Sequence, residues 1–268
     1  MKLDYGTSLS PFPVLFAGGS IKKPSLREIA EITFDQFSLY ELFLSLTPES
    51  YHTQIGDAEK KKYWNSLSKE QKEKMSLYDL ILEDDSLQQV YTEIFNFFYI
   101  EKIVFVEDAF VILKHDIGSI DPTDIAPEDA KGIIFWENFD ETINIIQQIC
   151  CINSDDAEEE DISQINFKNE KARKLYIRMK DAEKKQKLLT KKKNSEYYTI
   201  PNIISKVSSK HPSINLINVW DLTIFQLFDK FNCLQVNCMY DISWTRCSVW
   251  GDKEKAFDAS LWFKNKQK

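Results

Sequence analysis

Apolar residues recur at spacings of three and four along most of this chain and form β-like runs in only a few short stretches, which predicts a mainly α protein with small β-hairpins, an α+β fold. The first hairpin is expected over Pro13 to Lys23, with Gly18-Gly19 as its turn. Ser25 then caps a brief helix through a capping box with Glu28, feeding Leu26, Ile29, Ala30 and Ile32. A second helix, about Phe34 to Leu46, sets Phe34, Phe37, Leu39, Tyr40, Phe43 and Leu44 on a broad apolar face before Thr47-Pro48 opens the next turn. From Asp57 to Met75 the pattern is charged and sparse, as for a pair of short surface helices. Periodicity resumes over Ser76 to Leu82 and again over Ser86 to Phe98, with Asp84-Asp85 ending one helix and Ser86 capping a central one.

Two β-branched runs, Ile103 to Val106 and Ala109 to Lys114, flank Glu107-Asp108 and predict a second hairpin. An isolated hairpin is marginal in water, so it should pair with the first one or lie across the helices. Asp116 to Lys131 reads as a loop, Ile133 to Trp136 as one more strand, and Asn138 as the cap of a helix through Phe139, Ile143, Ile146 and Ile149.

Towards the C-terminus, Thr199 and Pro201 start a short helix that Lys210-His211-Pro212-Ser213 breaks. The strongest helical pattern follows, about Val219 to Ile242, with Trp220, Ile224, Leu227, Phe228, Phe231, Leu234 and Cys238 on one stripe. Such a stripe calls for a partner. The last segment gathers Trp250, Phe257, Leu261, Trp262 and Phe263 in about 14 residues. It reads either as a tail folded onto the long helix or as an exposed docking motif, and the first reading carries more weight. Trp220, Ile224, Leu227, Phe228, Phe231, Trp250, Phe257, Leu261, Trp262 and Phe263 are the candidate partner-binding residues.

Between Ser154 and Asn194 the apolar pattern stops. An acidic block, Asp155 to Asp161, leads into Lys168 to Lys193, where twelve Lys or Arg stand against three Asp or Glu. That local charge of +9 leaves −17 on the remainder of a chain whose net charge is −8. The expected organisation is an N-terminal α+β module over 1–153, a charged and largely helical connector over 154–198 and a C-terminal helical module over 199–268. The acidic surface repels nucleic acid, while the basic run can still reach phosphates or an acidic partner. Tyr176 is its one stacking platform, which favours a solvated linker over a nucleic-acid arm.

Composition narrows the picture further. With 43% hydrophobic residues the chain can build a core, and 7 Gly and 8 Pro leave few turn formers for a many-stranded sandwich or barrel. Cys150, Cys151, Cys233, Cys238 and Cys247 are odd in number and make no CxxC pair, so they read as small apolar packing residues in a reducing compartment. No apolar run reaches the length of a membrane span and the N-terminus lacks a signal-peptide core, so cytoplasmic residence in the host cell is expected.

Residues patterned for chemistry are few. The acids Asp116, Asp121, Asp124 and Asp129 fit no calcium loop, and His52, His115 and His211 provide no zinc spacing. Gly18-Gly19 lacks the Gly-Lys-Ser/Thr ending of a phosphate loop. His211-Pro212-Ser213 is the nearest approach to a base and nucleophile, and a histidine at a helix end is equally accounted for by the helix dipole. The expectation is a binding or assembly protein without catalytic residues, metal or cofactor.

The runs Asn202-Ile203-Ile204, Lys210 to Asn215, Trp220 to Leu227 and Ser248-Val249-Trp250-Gly251 resemble proteins encoded by tailed phages and prophages of Firmicutes. The layout of folded N-terminal part, charged connector and aromatic C-terminal part is similar to that of tail assembly chaperones. That resemblance implies a cytoplasmic factor that binds tape-measure and tube subunits before they polymerise and is absent from the finished particle. Self-association is a further reading of the same apolar surfaces. Alternatives from other classes are a nucleic-acid-associated phage protein acting through Lys168 to Lys193, and an inhibitor of a host factor acting through the aromatic tail.

Overall fold

The computed structural model describes residues 1–55, 58–115, 127–152, 198–252 and 257–263, with the backbone alone at 54, 55, 127, 261 and 263. The fold is mainly α-helical with a two-stranded and a three-stranded antiparallel sheet. It divides into two compact units. One holds Met1–Asn153 and Thr223–Phe225, the other Ser154–Leu222 and Gln226–Lys268. The basic run 168–193 and the acids Asp116, Asp121 and Asp124 lie outside the described residues.

The first unit opens with α1 (Tyr5–Leu9), β1 (Val14–Phe16), β2 (Gly19–Ile21), α2 (Leu26–Ile32) and α3 (Phe34–Leu44). Ser25 and Glu28 make both arms of the capping box expected of them. The turn of the first hairpin is Ala17-Gly18 rather than Gly18-Gly19, because both take positive φ, 52° and 84°, while Gly19 pairs with Phe16 as a strand residue. Two successive left-handed residues match the twist of the flanking strands. A Cβ on Gly132 would stand 2.0 Å from the carbonyl oxygen of Ala17, so this turn rests backbone to backbone on a later strand.

Next come α4 (Pro48–Ser50), which runs into a π-helical turn at Tyr51–Ile55, then α5 (Ala58–Ser66), α6 (Lys69–Lys74), α7 (Leu77–Glu83) and α8 (Asp85–Phe98). The cap of α8 is Asp84, whose Oδ1 accepts from Ser86 N–H at 3.0 Å, and not Ser86 itself. One face of α8 buries Tyr91, Ile94, Phe95 and Phe98 completely. Around Phe95 stand the rings of Phe110 at 4.9 Å and Phe139 at 6.0 Å, with Tyr78 and Tyr91 5.1 and 5.5 Å from Phe139. Truncating one such ring costs about 3–5 kcal/mol, so this aromatic cluster holds the unit together.

β3 (Ile103–Val106), β4 (Ala109–Leu113) and β5 (Ala130–Ile134) form the larger sheet in that order. The hairpin turn at Glu107-Asp108 is as expected, with Glu107 at φ 55°. The first hairpin does not join this sheet. It hydrogen-bonds instead to the end of α8, where Lys22 N–H donates to Phe98 O at 2.7 Å and Ile100 N–H to Ser20 O at 3.0 Å. The third strand is β5, which starts three residues and ends two residues before the expected Ile133 to Trp136, with Phe110 paired to Ile134. Asn138 precedes α9 (Phe139–Ile149) without a side-chain cap. Its amide instead closes the strand-to-helix corner, accepting from Phe135 N–H and donating to Ile133 O.

The second unit contains α10 (Ile200–Lys210) and nearly all of α11 (Ile224–Trp250). Thr199 caps α10 and Pro201 sits in its first turn, as expected. A 3-10 turn at Val219–Asp221 precedes α11, so the long helix starts later and runs eight residues further than the apolar pattern to Ile242 suggests. A second 3-10 turn, Ala259–Phe263, ends the described chain.

Candidate functional site

α11 carries a run of exposed apolar side chains, Met239, Ile242, Trp244, Val249 and Trp250. Residues 224, 227, 228, 231, 235, 238, 242 and 249 fall on one side of it by the 3.6-residue period. Exposure grows along that stripe. Ile224 and Leu227 are fully buried, Phe228, Phe231 and Cys238 are half-buried, and Ile242 and Val249 are 70% and 64% exposed. Within the second unit the Tyr198 ring stands 5.9 Å from Phe231, and Lys210 Nζ donates to Cys238 Sγ. Beyond Cys238 the stripe is open, and Met239 and Trp250, 59% and 77% exposed, widen it.

The opposite side of the helix has a cover. Phe257 packs its ring 5.5 Å from Tyr240 and 5.6 Å from Trp244, and Trp262 packs 5.4 Å from Tyr240. The aromatic segment after Gly251 therefore folds onto the long helix. It does so incompletely, since Trp262 stays 61% exposed and Trp244 55%.

The ten candidate residues thus part company. Ile224 and Leu227 are interior and present no surface to a partner. Trp220 precedes the helix, half-buried in the 3-10 turn, with its Nε1–H donated to Leu216 O at 2.9 Å. Phe228, Phe231 and Phe257 are half-buried, and Trp250 and Trp262 are exposed. The side chains of Leu261 and Phe263 lie outside the described residues. Met239, Ile242, Arg246 and Val249 also belong to the open face, and the last two lie beyond a helix ending at Ile242. The i, i+7 step from Ile242 to Val249 is the signal that places them.

The chemistry elsewhere is modest. His211 Nδ1 accepts from the N–H groups of Ser213 and Ile214 at 3.3 and 3.2 Å, so it closes the turn after α10. In the first unit Tyr51 O–H donates to Asp84 Oδ2, and Lys60 Nζ donates to the same phenol oxygen. Hydrogen bonding to Tyr51 holds the Asp84 carboxyl below its ordinary range. His52 is buried, stacked 5.3 Å from Trp64, and both its ring nitrogens lack a hydrogen-bond partner. Burial also lifts the Glu41 carboxyl to about 7. Among the described residues no group of three His, Cys, Asp or Glu could hold a metal, and no helix is long and apolar enough to cross a membrane.

Residues 190–267, which include all of α10 and α11, match the family model of the YomV second domain. YomV is a Bacillus phage or prophage protein, so the C-terminal part of this chain is similar to a phage-associated domain. No curated protein and no solved structure matches the chain.

Proposed function

We propose that this is a phage or prophage assembly protein that works by apolar protein-protein contact, as a tail assembly chaperone that holds tape-measure or tube subunits before they polymerise. The observation that carries the reading is the open face of α11, where Met239, Ile242, Val249 and Trp250 are each more than half exposed. Folded chains seldom leave a contiguous apolar surface of this kind without a partner for it. It lies inside the segment similar to the YomV second domain, which supports a phage setting. The acidic remainder of the chain supplies solubility while that face waits.

Deleting the gene from the phage or prophage and inspecting particles by electron microscopy tests the role. The reading expects filled heads without tails, restored by the gene supplied in trans. Particles with tails of normal length and number contradict it.

A further inference from the structure

The two sides of α11 differ in what faces them. Tyr240 and Trp244 meet the chain's own Phe257 and Trp262, while Ile242 and Val249, on the other side, meet solvent. Within the open stripe stands a single charge. Arg246 lies four residues after Ile242 and three before Val249, is exposed, and forms no ion pair with a described residue. The other cation beside the stripe, Lys210, has Asp241 close by as well as Cys238. This positive charge, without an ion pair among the described residues, therefore sits in the middle of the apolar surface, at the place where a partner would cover it.

We propose that this stripe docks one amphipathic helix of another protein, with apolar residues three, four and seven apart and a Glu or Asp opposite Arg246. The inference rests on reading the chain as a binding protein and names the occupant of its face. Helix-in-groove recognition uses this spacing of anchors, and a desolvated Arg demands a carboxylate to replace the water it loses. The charge also bears on a second copy of this chain as occupant. A two-fold axis that crosses the stripe at Arg246 would bring the two guanidiniums together, and like charges in register penalise that pairing.

The test uses the full chain and two fluorescein-labelled synthetic helices of about 20 residues, long enough to be helical. Both carry Leu at the stripe spacing. One has Glu and the other Lys at the central stripe position. Anisotropy titration is expected to show the Glu peptide binding about tenfold more tightly than the Lys peptide, and Arg246→Glu is expected to reverse that order. Arg246 is exposed, so the variant keeps its fold, and the reversal is itself the control. Equal affinity for the two peptides, or binding of neither, overturns the inference. So does a dimer in sedimentation equilibrium that Val249→Asp disperses, since that assigns the face to a second copy. Gene deletion reads the role and the peptides read the face, so missing tails with no peptide discrimination removes the docking inference alone.

Discussion

The ring of Tyr240 stands 5.4 Å from that of Trp262, while Ile242, two residues further along the same helix and on its other side, is 70% exposed. One helix thus shows both outcomes for an apolar surface. The side reached by the aromatic segment after Gly251 is covered from within the unit, and the side it does not reach is left to solvent. A residue pair only two positions apart separates packing from display.

Trp262→Ala is expected to destabilise the second unit by about 1 kcal/mol, because a ring that is 61% exposed contributes edge contact with Tyr240 more than burial. Urea unfolding followed by far-ultraviolet dichroism measures this. A loss of more than about 3 kcal/mol, the size expected for a core ring, would show that the tail is part of the interior.

The seat of the first hairpin on β5 leaves no room for a side chain. Gly132→Ala forces a Cβ to 2.0 Å from Ala17 O, and is expected to cost at least about 3 kcal/mol or to prevent soluble expression. Gly251→Ala meets nothing within 4 Å and strains only a φ of 77°, for about 1 kcal/mol. Urea midpoints of the two variants give the comparison, and equal costs would contradict the close approach.

Glu41 gives the first unit a pH dependence of unusual sign. Its folded carboxyl, raised by burial to about 7 and placed near the Cys150 thiol, holds a proton that the unfolded chain releases near 4.5. Stability from this group is complete below about 4.5 and is lost as pH rises through 7. Glu41→Gln is expected to recover on the order of 2–3 kcal/mol at pH 8 and almost nothing at pH 4. Thermal unfolding of both proteins across that range decides it.

His52 acts in the opposite direction. Burial, then the nearby Lys60, lowers its folded value below the ordinary 6.5, against a smaller opposing effect of Glu83. Stability is therefore full above 6.5 and is lost as pH falls through that value, where the unfolded chain takes up the proton first. His52→Phe keeps the ring against Trp64 and should flatten the decline between pH 7 and 5. An unchanged slope in that variant would place the acid sensitivity elsewhere.

Much of the first unit was legible because local rules coincide with the fold there: the Ser25 and Glu28 capping box, the apolar face of α8, and the β-branched runs flanking Glu107-Asp108. The shifts came from contacts distant in sequence. Phe110 fixed the register of β5, and the approach of Gly132 to Ala17 gave Gly18 a role beyond its turn. The C-terminal stripe was legible as a helix face but not as a surface. Periodicity treats Ile224 and Ile242 alike, and only the arrangement of the chain around them buries one and exposes the other. Polar Ser243, Thr245 and Ser248 hid the last two turns of α11, and with them Arg246 and Val249.

The proposed function makes an exposed apolar face, rather than a reactive group, the working part. Its sharpest check is co-purification of the full chain, as the parent and as Ile242→Asp, with the tape-measure and tube proteins of the phage or prophage proposed to encode it. The parent is expected to capture one of the two, and the variant, with unchanged dichroism, to lose at least about tenfold in capture, as when a charge is placed in an apolar contact. Equal capture by both, or none by the parent, contradicts it.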